Sequence, residues 1–229
     1  MQARLILFGL SAMLLLTAAM SPVHAASALV QENNAGCLGC SSTLSVSFAT
    51  NAGAGDVIVV GVVVADASVP LSSLTDSLDS PFTQAATSPN ATPPAVYIYY
   101  ATISKVGVEI VTATFGAAAP AESVYIYEVS GVTTAGVATA TGAGTGTSIS
   151  TSSSVTFQTG AFLLGIIGTN NFRGTASAGT GFTLSTDSSG TGVTYAEYST
   201  SGVSSPTSFQ ATAHSTVSWE EDAIALMPN

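Results

Sequence analysis

Eight consecutive residues, Val57-Ile58-Val59-Val60-Gly61-Val62-Val63-Val64, contain no polar side chain, and all but Gly61 are β-branched. Side chains branched at Cβ lose rotamer freedom in a helix and pack well on a pleated surface, so the run reads as a strand. Having no polar face, it predicts a central, fully buried strand. Further candidate strands run from Thr43 to Ala49, Ala95 to Ala101, Val108 to Phe115, Ser123 to Val129, Ala161 to Gly168, Val193 to Tyr198, Phe209 to Ala213 and Val217 to Leu226. Gly, Pro, Asn and Asp break the chain between them. Val96-Tyr97-Ile98-Tyr99-Tyr100 places alternate side chains on opposite faces. No helical periodicity follows residue 25. The pattern predicts an all-β fold, an antiparallel β-sandwich of jelly-roll type, with an immunoglobulin-like sandwich as the alternative.

The N-terminus sets the expected compartment. Met1 to Arg4 brings one positive charge, Leu5 to Ala19 is an almost unbroken apolar run, and Val23-His24-Ala25 has the small-x-small pattern of a cleavage site. Residues 1–25 therefore read as a signal peptide, and the protein as secreted or held at the cell surface. An uncleaved anchor is the competing reading, but the run is shorter than the roughly 20 residues of a spanning helix. No later segment is long and apolar enough to be a transmembrane helix.

Removing the leader takes away Arg4 and leaves Lys105 and Arg173 against 13 acidic side chains, a formal charge of −11. Such a chain repels nucleic acid and anionic lipid. The expected partners are neutral glycans, cations or extracellular proteins. Only 7% of residues are charged, so solubility must rest largely on Ser and Thr hydroxyls. Residues 26–229 suffice for a single sandwich domain with a real core, preceded by a flexible segment around 26–42. Thr133 to Ser154 is nearly all Thr, Ser, Ala and Gly. It reads as an interdomain linker, or else Gly131 to Gly146 carries an edge strand and a long connection within one sandwich, and the small flanking blocks favour the single domain.

Cys37-Leu38-Gly39-Cys40 is the one cysteine motif. Without a βαβ context or a second pair, it reads as a local disulfide loop of an oxidising compartment, with intermolecular cross-linking as the alternative. His214 is the only histidine after the leader, and no serine lies in a Gly-x-Ser-x-Gly elbow, so no catalytic triad is assigned. Glu128 and Glu197 lie among tyrosines, in Tyr125-Ile126-Tyr127-Glu128 and Tyr195-Ala196-Glu197-Tyr198. Paired carboxylates are what a glycosidase needs, and Tyr127 and Tyr195 are of the type that stacks on sugars. The alternative is that each glutamate accepts hydrogen bonds from loop backbone. Asp76 and Asp79 offer hard oxygens for Ca2+, as do Glu220-Glu221-Asp222, but alternation turns Glu220 and Asp222 to one face and Glu221 to the other. No other cofactor is indicated. Asn90-Ala91-Thr92 is an N-glycosylation sequon.

Five segments carry a resemblance: Gly55-Asp56-Val57-Ile58-Val59-Val60, Leu74-Thr75-Asp76-Ser77, Phe82-Thr83, Tyr97-Ile98-Tyr99-Tyr100-Ala101 and Tyr127-Glu128-Val129-Ser130-Gly131. In this order, and with Gly181-Phe182-Thr183 and Trp219 to Leu226, they resemble a module recurring in secreted and surface proteins of bacteria. The Cys37–Cys40 pair departs from that pattern. The resemblance implies an extracellular β-sandwich and brings no catalytic residues with it. Three functions are therefore expected to compete. They are a non-enzymatic module that binds a glycan or protein or has a structural role, a filament or matrix subunit that donates Ala26 to Asn34 as an added strand, and a hydrolase using Glu128 and Glu197.

Overall fold

The computed structural model describes residues 26–39, 41–87, 94–170, 175–186 and 194–229. The leader, Cys40 with its expected disulfide, the Asn90-Ala91-Thr92 sequon and Arg173 lie outside them. The strands are β1 (Ala28–Leu38), β2 (Thr43–Ser47), β3 (Val57–Val64), β4 (Leu71–Asp76), β5 (Thr83–Thr87), β6 (Ala95–Thr102), β7 (Ile110–Phe115), β8 (Ala121–Ser130), β9 (Val132–Ser150), β10 (Phe162–Thr169), β11 (Ala176–Ser177), β12 (Thr183–Thr186), β13 (Thr194–Ser199) and β14 (Gln210–Pro228). The first sheet has the order β1-β8-β3-β6-β5, the second β2-β7-β4, and the third β11-β14-β10-β13-β12 with β9 on β14. Every named pairing is antiparallel. No helix among the described residues is long and apolar enough to cross a membrane.

The sandwich is three sheets deep, and β3 explains why. All of its residues are buried. Ile58, Val60 and Val62 pack with Val46, Val111 and Phe115 of the second sheet. Val57, Val59 and Val63 pack on the opposite side with Phe162, Leu164 and Ile166 of the third. A strand with no polar face thus sits where neither face meets water. Gly61 points at the third sheet, and a Cβ there would lie 2.4 Å from Ile166 Cδ1. The outer face of the third sheet is closed in turn by Val155 and Phe209 over Leu163, and by Ile149 and Trp219 over Ile167.

The N-terminal segment differs from the sequence expectation, and the Thr/Ser/Ala/Gly tract takes the edge-strand alternative. The segment around 26–42, expected to be flexible, contains β1, which pairs with β8 along its length. Its donor-like residues Ala28 to Asn34 thus complete a sheet of their own chain. Gln31 Nε2 reaches Thr50 O at 3.2 Å, and Asn33 Nδ2 reaches Ser47 O at 2.7 Å, so side chains tie this polar strand to its neighbours. The Thr/Ser/Ala/Gly tract is β9, an edge strand on β14. Its small residues are a packing requirement: a Cβ on Gly144 would stand 2.8 Å from Trp219 Cζ2, and one on Gly142 would stand 2.2 Å from Ser150 O. The separate strands expected at Phe209 to Ala213 and Val217 to Leu226 are parts of β14, with a register irregularity between Thr212 and Val217.

Candidate functional site

Glu128 lies on β8 opposite Ile58 of β3, on the face that Val124 and Ile126 turn to the second sheet. It is buried. Its Oε1 accepts a hydrogen bond from Gly53 N at 2.6 Å, and its Oε2 one from Gln31 Nε2 at 2.5 Å. Asp56 stands beside it, and burial together with the Glu128 carboxyl raises the Asp56 pKa above its usual value. Nearby, Asp76 Oδ1 accepts from Ser80 N at 2.8 Å. The neighbour of Asp76 is Glu109, whose pKa rises to about 7 through burial first and then through the Asp76 carboxyl. Asp79 is turned away, 85% exposed and 3.3 Å from Lys105 Nζ. The structure therefore separates Asp76 from Asp79. Among the described residues no group of three or more His, Cys, Asp or Glu side chains is placed to hold a metal ion.

Glu197 is on β13, opposite Gly165 of β10, and both face outward from the third sheet. Its Oε2 accepts from Gly179 N at 2.9 Å and its Oε1 from Gln210 N at 3.1 Å. Glu221 of β14 reaches the same space: a Cβ on Gly165 would meet Glu221 Oε1 at 3.0 Å and Glu197 Cγ at 3.3 Å. The missing side chain at position 165 is what lets two carboxyls meet. Burial raises the Glu197 pKa to about 7, against the lowering effect of its backbone donors and Glu221. Burial and then the Glu197 charge push Glu221 well above the usual carboxylate range. Glu220 and Asp222 face the other way, as alternation requires, since they pair with Gly168 and Ile166 on the face toward the first sheet. Burial and then Glu220 raise Asp222 to about 8.

Glu128 and Glu197 are not opposed. One faces the layer between the first and second sheets, the other the outer side of the third. Glu197 is held by two backbone amides and Glu128 by one together with the Gln31 side-chain amide, the arrangement of a structural carboxyl. Tyr127 and Tyr195 are also buried. Tyr127 packs against Phe162 and Tyr198, with ring centroids 6.2 and 5.8 Å away, and Tyr195 lies with Ile167 and Trp219. His214 sits on the surface of β14, with Nδ1 2.7 Å from Thr175 Oγ1 and Nε2 3.0 Å from Ser177 Oγ.

Three surface clefts formed by described residues have a different chemistry. The first, of about 480 Å³, lies where β10 begins and β13 ends, and Phe157, Thr159, Ser199, Thr200, Ser201 and Val203 help to line it. Phe157 N donates to Ser205 Oγ at 2.9 Å, and Ser199 Oγ to Ser201 O at 2.6 Å, so hydrogen bonds fix both walls. The second, of about 290 Å³, is lined by residues that include Gly179, Thr180, Phe182, Thr207, Ser208 and Gln210. The third, of about 350 Å³, includes Thr83, Tyr100, Thr102 and Thr134. None of the three is lined by a carboxylate, imidazole, thiol or ammonium side chain, and Ala26, whose amino group removal of residues 1–25 would free, also lines the first. They offer hydroxyls, backbone amides and single aromatic rings, which suit an uncharged polar ligand. No protein family, curated protein or solved structure matches this chain.

The residues missed by sequence reasoning are Glu109 and the pairing of Glu221 with Glu197. Glu109 had one visible signal, an acid between the apolar residues of Val108-Glu109-Ile110.

Proposed function

We propose that the protein is a secreted, non-enzymatic β-sandwich module that binds neutral glycans through its hydroxyl-lined clefts. One observation carries this reading: the carboxyls able to do acid–base chemistry are built into the core, whereas the described clefts present uncharged hydroxyl groups and aromatic rings. Sugars are recognised by that combination, with hydroxyls exchanging hydrogen bonds and an aromatic face covering the apolar side of the ring. The excess of acidic over basic side chains supports it further, because anionic polymers would be repelled.

The cleft at Phe157 is the site we assign. A glycan array probed with the purified secreted protein, with and without calcium, is expected to show saturable binding to neutral oligosaccharides that does not depend on the metal. Phe157→Ala is expected to weaken that binding by about tenfold, the loss of roughly one stacked ring. Binding confined to anionic glycans, or neutral-glycan binding untouched by Phe157→Ala, would refute the assignment.

A further inference from the structure

We propose that Glu197 and Glu221 form a proton-held latch that draws the 206–210 segment onto Gly179, so that the cleft between these walls loosens when the pair gives up its shared proton. The geometry is specific. Glu197 reaches both walls, accepting from Gly179 N on one side and Gln210 N on the other. Gly179 and Gln210 both line the 290 Å³ cleft. The walls meet closely, since a Cβ on Gly179 would stand 2.2 Å from Gln210 O. Phe209, whose ring centroid is 5.1 Å from that of Phe182, packs against Gly165 beside the pair.

Glu221 finds no partner among the described residues other than Glu197. With one proton between them, the Glu221 O–H donates to the Glu197 carboxylate, which then accepts three hydrogen bonds. Removal of that proton by solvent base leaves two buried negative charges in contact, an arrangement that low-dielectric surroundings penalise heavily. Among the described residues nothing else at hand neutralises them. The outward faces of β10 and β9 contribute Gly165, Leu163, Ile167 and Gly142, and the cleft segments contribute no charged side chain. Tyr195 shares the outward face of β13, and Glu220 and Asp222 lie on the opposite face of β14. Among the described residues the nearby charges are therefore of the same sign. The latch yields first because Gly179 lies in an irregular segment and Gln210 is the first residue of β14, where the ladder with β9 ends.

Amide hydrogen exchange on the purified protein from pH 6 to pH 9, corrected for intrinsic rates, tests this. The Gly179 and Gln210 amides are expected to lose about tenfold or more in protection across that range while the β3 amides keep theirs. In Glu221→Gln the amide still donates to Glu197 and no second charge appears, so protection at both positions is expected to stay constant. Protection that does not change with pH in the natural protein, that falls alike in Glu221→Gln, or that falls in step with β3 would overturn the proposal. Should Glu221→Gln not fold, carboxyl 13C shifts of the natural protein decide the question. Coupled titration of the two side chains, with the last proton leaving over the range where the amides open, supports the latch, and independent titration of both near pH 4.5 refutes it.

Discussion

Lowering the pH from 8 to 5 is expected to raise the melting temperature, the reverse of what a protein held by ion pairs shows. The cause is the set of buried carboxyls without cations. Among the described residues the ion pair Lys105–Asp79 lies at the surface, while Glu109, Glu197 and Asp222 have folded-state pKa values of about 7, 7 and 8. In the unfolded chain such groups lose their protons near pH 4. Between those limits the folded state binds more protons than the unfolded state, so stability falls as pH rises. The contribution is at its most favourable below about pH 4 and is lost through pH 7 to 8. A shift from 4.5 to about 7 at Glu197 corresponds to about 3 kcal/mol. That is a large part of the 5–15 kcal/mol by which domains of roughly this kind are stable. Asp222→Asn isolates one group: it is expected to raise the melting temperature at pH 8 and to change it little at pH 4. Calorimetry at the two values checks this, and a natural protein most stable at pH 8 would contradict the assignment.

Gly61→Ala is expected to be among the most damaging single substitutions in the chain. The new Cβ would lie 2.4 Å from Ile166 Cδ1 and 2.5 Å from Ile166 Cγ1, in a layer with Val59, Val63 and Leu164 all buried around it. Neither strand can easily retreat. β3 is hydrogen bonded on both sides, to β6 and β8, and β10 on both sides, to β13 and β14. Overpacking of this kind costs about 3 kcal/mol, or a fall of roughly 10 °C for a domain of this size. Ile166→Ala removes the clashing atoms but opens a cavity, at about 2–5 kcal/mol on its own. Combined, the two substitutions are expected to cost less than their sum by about 1 kcal/mol or more, because each relieves the other. Additive losses would mean that Gly61 and Ile166 do not touch as described.

The difference between what the sequence disclosed and what it did not follows side-chain size. β3, β6, β8 and β10 were legible because their Val, Ile, Leu and Tyr residues are the ones a buried pleated surface requires. β1 and β9 were not. Their Gln, Asn, Ser, Thr, Ala and Gly residues resemble those of a loop, and only the structure shows Gly144 making room for Trp219. The stacking of a third sheet was also hidden, since a fully apolar strand needs cover on both faces without naming what supplies it. At the site, Glu128 and Glu197 stood out as acids among tyrosines, and alternation separated Glu221 from Glu220 and Asp222. What remained illegible was long-range. Glu197 meets Glu221 through Gly165, and Glu109 meets Asp76 across β7 and β4, contacts that depend on sheet order.

The central claim is that these carboxyls are structural and that recognition is left to uncharged clefts. The most direct measurement offers neutral polysaccharides to the natural protein and to Glu128→Gln and Glu197→Gln, recording binding and release of reducing ends together. We expect saturable binding without turnover, retained in both variants when they are folded. Turnover by the natural protein that either substitution abolishes, with the fold intact, would contradict the account.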